Sequence, residues 1–492
     1  MSVLEGLEPQ GVFHYFEEIC NIPHGSSDTD RISEYLVNFA KDRNLKYIQD
    51  NLGNVIIFKN GTKGYENLAP VILQGHMDMV CEKDKDSNID FSKDAIKLCV
   101  EGNVIHADKT TLGGDDGIAI AYALALLDAT DGEINHPPLE AVFTVDEEIG
   151  MLGASGLDCS ELKSNIMLNI DSEEEGILLC GCAGGITSTC HMPVEFADFK
   201  ADDQYYISKI TITNISGGHS GVEIHRQGAN ANKVLGRVLY SLNKKLNFCL
   251  VNINGGLKEN AIPREAYAYI VYKDENESII LESVIDELNK ILSNEYRMTD
   301  PDITINLEKI AESDNNFKSY MTKSSTSDVI NLLVSLPNGV LRMSNDIEGL
   351  VQTSLSMGIM KTEVNEVICC FSVRSSVESE KQEIVDRLRC ITEALGGYYE
   401  DFGEYPAWEY KPQSKLRELM IDTYENMYGK KPQIQAIHAG VECGIFAGKI
   451  NNLDCVSFGP QIDDIHTTSE CLYIDSVERT WKYILEVLKK LK

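Results

Sequence analysis

Short and almost fully apolar runs alternate with helical patterns over the first third of the chain. Runs of this kind are typical of strands that are buried on both faces of a sheet. Four of them lie at 54–58, 71–73, 139–145 and 166–170. Residues 27–30 have the pattern of a helix N-terminus, and residues 117–127 are apolar nearly all round, which predicts a buried helix. This alternation of strands and helices predicts an α/β domain.

The pattern changes near residue 186. From 205 to about 408 it indicates two successive passes of strand, helix, two strands, helix and strand, the second looser than the first. This order predicts an inserted α+β domain with two ferredoxin-like halves. The α/β pattern resumes after Pro412, with a helix, a strand at 433–437, a short helix and a strand at 453–458. The predicted organisation is an α/β domain in two parts, 1–186 and 409–492, interrupted by a second domain at 187–408.

Composition and charge narrow the function classes. Of the 492 residues, 43% are hydrophobic and 25% are charged, which is typical of a soluble globular chain. The formal net charge of −33 repels phosphate backbones and anionic membranes, so nucleic acids and membranes are not expected partners. No secretion signal is expected, and the fourteen cysteines are expected to be free thiols in the cytoplasm. Cys180 and Cys182 lack the second pair that a structural zinc site needs.

Five segments carry residues that are suited to chemistry. Four of them follow predicted strands, and the fifth opens the predicted buried helix. They are QGHMD (74–78), TLGGDDG (111–117), DEEIG (146–150), DSEEE (171–175) and GPQIDDIH (459–466). Ligands of open α/β sheets bind at the carboxyl edge of the strands, where these segments are expected to meet. Because histidine and carboxylate ligands suit zinc, the sequence predicts a metal site at this edge.

The ligand count favours two metal ions. One bridging carboxylate and two further ligands for each ion are available from His76, Asp115, Glu148, Asp171 and His466. Asp78 is predicted to accept the ring N–H of His76, and Glu147 to accept a proton from a metal-bound water. Taken singly, each segment is better explained as a turn, a helix cap or a solvated face. Their convergence at one sheet edge favours the metal site. The other histidines considered are expected to be structural or exposed, namely His14, His106, His136 and His191.

With these residues the chain resembles the co-catalytic dizinc metallopeptidases, a family that includes carnosinase, peptidase T and the carboxypeptidase G group. Within the family it is most similar to the dipeptidase branch. The most specific segments are 74–83, 110–125, 143–158, 169–176, 217–231, 258–266 and 438–446. The resemblance implies two Zn²⁺ per chain, with Mn²⁺ or Co²⁺ as alternatives, and Asp115 as the bridging ligand. It also implies a cis peptide bond between Asp115 and Asp116, where the branch more often has Asn at 116.

The resemblance assigns substrate contacts to the inserted domain, which it identifies as a lid. His219, in the glycine-rich turn 216–221, is expected to reach the carbonyl oxygen of the substrate; otherwise it caps the following helix. Asn260 and Arg374 are expected to hold the terminal carboxylate of the substrate, for which the planar guanidinium of arginine is suited. Without the family, a surface ion pair explains Arg374 equally well.

The predicted activity is metal-dependent hydrolysis of dipeptides in the cytoplasm, with lid closure completing the site. A related amidohydrolase, such as a tripeptide aminopeptidase or an N-acyl amino acid deacylase, is one alternative, since it shares the metal chemistry. The second alternative is a non-catalytic binding protein on the same scaffold. The sequence leaves the side-chain preference open. It also leaves open the oligomeric state, including a homodimer formed through the lid.

Overall fold

The chain forms two compact units. The computed structural model describes residues 2–130, 132–200, 204–311 and 317–492. The first unit consists of Met1–Cys182, Tyr410–Ala436 and Val441–Lys492, and the second of Ala183–Glu409 and Ile437–Gly440. No helix within the described ranges is both long and apolar enough to cross a membrane. All fourteen cysteines are free thiols.

The first unit has the predicted α/β architecture. Its strands are β1 (Lys46–Gln49), β2 (Val55–Lys59), β3 (Val71–His76), β4 (Leu98–Glu101), β5 (Val104–Ala107), β6 (Leu139–Thr144), β7 (Ile166–Asn169), β8 (Ile177–Cys182), β22 (Gln433–Ile437), β23 (Asp454–Ser457), β24 (Ile462–Asp463) and β25 (Cys471–Tyr473). Its helices are α1 (Gln10–Cys20), α2 (Asp30–Asp42), α3 (Gly114–Asp128), α4 (Leu152–Gly156), α9 (Lys415–Tyr428), α10 (Glu442–Lys449) and α11 (Ile474–Lys490).

The main sheet of this unit places the chemistry-bearing segments at one edge. It has eight strands in the order β1-β2-β6-β3-β7-β23-β8-β22. Strand β3 runs parallel to both β6 and β7, and β23 runs parallel to β7. The carboxyl ends of these four strands therefore meet at the same edge. The segments that follow them are thereby brought together, as the sequence predicts.

Helix α3 lies within the hydrophobic core of the first unit. Every residue from Gly117 to Leu127 is buried, which confirms the helix predicted from the nearly all-apolar pattern. The backbone is not helical at Asp115 and Asp116, so the first turn of α3 is irregular. A smaller sheet of this unit has the order β24-β25-β5-β4. It fixes the segment that follows His466, because β25 pairs with β5.

The second unit is α+β. Its strands are β9 (Gly184–Pro193), β10 (Phe196–Asp198), β11 (Tyr206–Thr213), β12 (Gly218–His219), β13 (Cys249–Gly255), β14 (Ala261–Ile262), β15 (Ala266–Tyr272), β16 (Thr304–Ile310), β17 (Ser319–Met321), β18 (Gly339–Met343), β19 (Val351–Thr362), β20 (Glu366–Ser375) and β21 (Tyr398–Tyr405). Its helices are α5 (Ala231–Asn243), α6 (Glu277–Glu295), α7 (Lys323–Ser335) and α8 (Glu378–Ala394).

The two ferredoxin-like halves share one sheet, but they are not successive in the chain. The main path of this sheet runs β16-β11-β15-β13-β19-β20-β9-β21, and β18 pairs with β19. The first half is β11, α5, β13, β15, α6 and β16, as predicted. The second half takes its first strand from β9, which precedes the first half and pairs with β20 along its whole length. The prediction of two consecutive passes is therefore wrong, and the first half is inserted into the second.

Candidate metal centre

Two groups of potential metal ligands lie at the carboxyl edge of the main sheet of the first unit. One consists of His76, Asp115 and Asp171, and the other of Asp115, Glu148 and His466. Within each group, one nitrogen or oxygen atom from each residue lies within 4.8 Å of the others. Asp115 belongs to both groups. Each group offers one imidazole and two carboxylates, a donor set that suits zinc.

The two carboxylate oxygens of Asp115 face different histidines. Oδ1 lies 3.1 Å from Nε2 of His76, and Oδ2 lies 3.2 Å from Nε2 of His466. The same nitrogen of His76 is 3.6 Å from Oδ1 of Asp171, and that of His466 is 2.8 Å from Oε1 of Glu148. This is the arrangement expected of a carboxylate shared by two metal sites.

The electrostatics of the centre favour a bound cation. Hydrogen bonds to Asp115 and Glu148 raise the pKa of His466 to about 10. Burial opposes the charged form of His76, but hydrogen bonds to Asp115, Asp171 and Asp78 hold its pKa well above the usual value. The carboxylates around each imidazole therefore stabilise a positive charge at this position. A divalent cation between the same atoms would supply such a charge.

Asp78 contacts Nδ1 of His76 through its carboxylate and also through its backbone oxygen. Nδ1 of His76 lies 2.9 Å from the backbone oxygen of Asp78 and 3.4 Å from its carboxylate. The carboxylate accepts hydrogen bonds from the backbone amides of Glu147 (2.9 Å) and Glu148 (3.3 Å) and from the hydroxyl of Ser26 (2.8 Å). Asp78 therefore contacts His76 through its backbone oxygen and its carboxylate, and the same carboxylate holds the loop of the two glutamates.

Glu147 is a mostly buried carboxylate that belongs to neither ligand group. Burial raises the pKa of Glu147 to about 9. The charge of His76 opposes this rise, whereas the charges of Asp171 and Glu442 add to it. A nearby cation would lower that pKa towards neutrality, because it favours the carboxylate form. A carboxylate with a pKa near neutrality is suited to accept and return a proton.

The peptide bond between Asp115 and Asp116 is cis, which confirms the expectation from the resemblance. The side chain of Asp116 is buried and belongs to neither ligand group. Its Oδ2 accepts a hydrogen bond of 3.1 Å from the backbone amide of His76. Gly75 allows this approach, since a Cβ atom there would lie 2.5 Å from the same oxygen. Asp116 therefore supports the backbone of the ligand strand.

A buried polar network beneath the centre has no counterpart in the sequence-based assignments. The carboxylate of Glu442 accepts hydrogen bonds from Gln74 Nε2 (2.5 Å) and Thr144 Oγ1 (2.7 Å). Gln74 in turn accepts one from Asn169 Nδ2 at 2.5 Å. Three neighbouring strands, β3, β6 and β7, are thus linked to the start of α10. Glu442 lies in the segment 438–446 that carries the resemblance, and this is the only signal that pointed to it.

His219 lies in the second unit, on β12. Its Nδ1 accepts hydrogen bonds from the backbone amides of Gly221 (3.1 Å) and Val222 (3.2 Å), so the proton of the neutral ring resides on Nε2. Burial, together with the charge of Arg374, lowers the pKa of His219. The ring thus holds the following turn, as its structural alternative expects, and it also retains an N–H donor.

Arg374 is a buried cation, which contradicts its alternative as a surface ion pair. It forms no salt bridge within the part of the chain that the structure describes. Nη1 donates to the hydroxyl of Tyr405 at 2.7 Å, whereas Nε is buried without a hydrogen-bond partner. His438 is a further buried residue, which the sequence-based assignments do not include. Burial lowers its pKa to about 3, and the nearby charge of Arg374 adds to this effect.

Asn260 is exposed, and its backbone oxygen accepts a hydrogen bond of 2.9 Å from the backbone amide of Ser220.

Comparisons with known proteins find several peptidases that are similar to this chain. The model of "Peptidase family M20/M25/M40" matches residues 72–490. The cytosol non-specific dipeptidase of Escherichia coli (strain K12) is 38% identical over 491 residues, which cover 100% of this chain and 99% of that protein. The crystal structure of aminoacylhistidine dipeptidase from Vibrio alginolyticus is 37% identical, with a TM-score of 0.91 over 99% of this chain and 97% of that one. Aminopeptidase PepT from Bacillus cereus is 14% identical with a TM-score of 0.55 over 99% of each chain, and shares the fold.

Proposed function

The chain belongs to peptidase family M20/M25/M40, and on this premise we propose that it is a metal-dependent dipeptidase. The similarity to the dipeptidase of Escherichia coli extends over the full chain and supports this activity. The observation that carries the proposal is the position of Asp115 between two histidines, each of which faces a further carboxylate. The name of that relative places it in the cytosol, and we propose the same compartment here.

We propose that the centre holds two divalent ions, with zinc as the expected metal and manganese or cobalt as alternatives. His76 and Asp171 would hold one ion, Glu148 and His466 the other, and Asp115 would bridge them. Bound there, the ions would supply Lewis acidity to the peptide carbonyl and lower the pKa of a water molecule. The combination of imidazole and carboxylate donors in each ligand group supports zinc over magnesium or calcium, which prefer oxygen ligands alone.

The residues of the chain supply the proton transfers and the orientation. We assign to the carboxylate of Glu147 the role of general base, which takes a proton from the attacking water and returns it to the leaving amine. Asp78 holds the backbone of this loop in place through two amides. We propose that Nε2–H of His219 donates a hydrogen bond to the carbonyl oxygen of the substrate. We also propose that Arg374 and Asn260 bind the terminal carboxylate of the substrate.

A substrate panel tests the proposed activity. Purified protein with added zinc should hydrolyse unblocked dipeptides, and it should act poorly on N-acylated amino acids and on tripeptides. Cleavage of acylated amino acids in preference to dipeptides would favour the deacylase alternative, and preference for tripeptides the aminopeptidase alternative. Binding of dipeptides without cleavage by any metal form would favour a non-catalytic protein. Sedimentation in the same buffer would decide whether two copies pair.

Replacing His219 with alanine should lower kcat about 10²–10³-fold and leave the metal content unchanged. A donor aimed at an oxygen gains strength only as negative charge develops there, so its loss acts on the transition state. Steady-state kinetics and elemental analysis of the variant would measure both quantities. The exposed His225, six residues further along the chain, offers a control, since His225→Ala should change neither. A near-normal kcat with a raised KM would contradict the assignment.

Replacing Arg374 with alanine should raise KM for dipeptides about 10–100-fold, because a charge-assisted hydrogen-bond pair is lost. Arg374→Lys keeps the charge but not the planar fork, so it should recover only part of the affinity. Kinetics on a dipeptide and on its C-terminal amide would separate the two effects. If the wild-type protein did not distinguish the acid from the amide, Arg374 would not bind the carboxylate.

A further inference from the structure

Glu470 is a buried carboxylate that binds consecutive backbone amides of the loop that leads into α3. Glu470 is only 2% exposed. Oε2 accepts hydrogen bonds from the amides of Leu112 (2.8 Å) and Gly113 (3.3 Å), and Oε1 accepts them from Gly114 (2.8 Å) and Asp115 (3.4 Å). A single side chain therefore satisfies four amides in a row, the last of which belongs to the bridging ligand.

This loop needs an acceptor outside its own backbone. The amides of a helix's first turn have no intrahelical partner, and the backbone of Asp115 and Asp116 is not helical. Gly113 has a positive φ of 72°, a backbone conformation that is strained for residues with a side chain. A Cβ atom there would also lie 2.9 Å from the sulfur of Met79. The amides thus converge on one point, and the carboxylate of Glu470 occupies it.

The backbone that Glu470 binds carries the carboxylate of Asp115. That carboxylate has to present one oxygen to His76 and the other to His466, at 3.1 and 3.2 Å. Glu470 is on the same segment as His466, four residues further along the chain. The strand that follows directly, β25, is fixed by its pairing with β5. One segment therefore both carries a ligand and holds the backbone of the bridging ligand.

We propose that Glu470 is a positioning residue for the bridging carboxylate, and that it acts on both metal sites through the backbone of residues 112–115. The inference rests on the proposed function, since it takes Asp115 as the bridge. Its consequence is specific. Disturbing Glu470 should weaken both metal sites together, although its own carboxylate belongs to neither ligand group.

The test is Glu470→Gln, which keeps the size of the side chain but turns one of the two acceptors into a donor. Two of the four amides then face an NH₂ group. We expect the dissociation constants of both Zn²⁺ ions to rise about 10–100-fold, the range seen when outer partners of metal ligands are removed. Competition titration with a chelator measures this. The visible absorption of the Co²⁺-loaded protein should also change, because the bridge no longer has the same geometry.

Glu140→Gln is the matched control. Glu140 is also a buried carboxylate of the first unit, and it accepts the backbone amides of Lys163 (2.9 and 3.1 Å) and Ser164 (3.1 Å). It lies near the amino end of β6, away from the metal centre. Its substitution should lower the thermal unfolding temperature but leave both zinc affinities and the cobalt spectrum unchanged. The comparison separates positioning from a general loss of stability.

The outcomes are distinguishable. Weakening of both sites in Glu470→Gln but not in Glu140→Gln supports the inference. A Glu470→Gln protein with wild-type zinc affinities and cobalt spectrum overturns it, and equal weakening in both variants overturns it as well. If Glu470→Gln does not fold, Glu470→Asp is compared in the same way, since it keeps the charge but is too short to hold all four amides. A wild-type protein that binds fewer than two ions would contradict the proposed function itself.

Discussion

Replacing Asp115 with alanine should remove both metal ions from the chain at once. Its two oxygens face Nε2 of His76 and Nε2 of His466, so neither ligand group remains complete without it. We expect the metal content to fall from two per chain towards zero under conditions that saturate the wild-type protein. The loss of affinity should exceed the ~100-fold that removal of an outer partner costs. Dipeptide hydrolysis should fall to the background rate, because no activated water remains.

Elemental analysis after dialysis, together with calorimetric titration of the metal-free protein, measures this result. Asp158→Ala is a suitable control, since Asp158 is an exposed carboxylate of the same unit that accepts hydrogen bonds from Ser160. It should retain two ions and full activity. A variant at Asp115 that still bound one ion with wild-type affinity would contradict a shared bridge. It would indicate two independent sites instead.

The fold of the first unit was predictable because its signals are local. The strands at 71–73, 139–145 and 166–170 are buried on both faces. Strands of this kind have short, almost fully apolar sequences. Once the strands were placed, the parallel pairing of a buried sheet brought the segments after them to one edge. That step predicted the convergence of the candidate ligands without knowledge of any distance.

The second unit was less predictable because its pairing is not local. Strand β9 has two glycines and mixed polar residues, so no clear periodicity marks it as a strand. Its partner β20 lies more than 170 residues away in the chain. Sequence order alone therefore suggested two consecutive halves. The position of β9 shows that one half is inserted into the other.

The residues that hold the metal centre in place were also difficult to predict, because their contacts are not local in the chain. Glu470 and Leu112 are 358 residues apart, and Glu442 and Gln74 are 368 apart. The partners of these glutamates are backbone amides, an amide side chain and the hydroxyl of Thr144, and they leave no motif at a fixed spacing. Asp78 was found by its spacing from His76, but the contacts of its carboxylate with Glu147 and Glu148 depend on the folded loop.

Neutralising Glu147 and Glu148 in turn should produce two different failures. Glu147→Gln keeps the size of the side chain but cannot accept a proton. It should bind two metal ions and a dipeptide normally, while kcat falls by about 10²–10⁴, the usual contribution of general-base catalysis. Metal analysis, dipeptide binding and steady-state kinetics on the same preparation would measure the three quantities.

Glu148→Gln is both the companion prediction and the control. Oε1 of Glu148 lies 2.8 Å from Nε2 of His466, within the second ligand group, whereas Glu147 belongs to neither group. The variant should therefore lose affinity at one metal site, and excess zinc should restore part of its activity. The two side chains cannot easily exchange roles, because the carboxylate of Asp78 holds the backbone amides of both residues. If Glu147→Gln lost metal and Glu148→Gln kept both ions without turnover, the ligand and the base would have to be reassigned to each other.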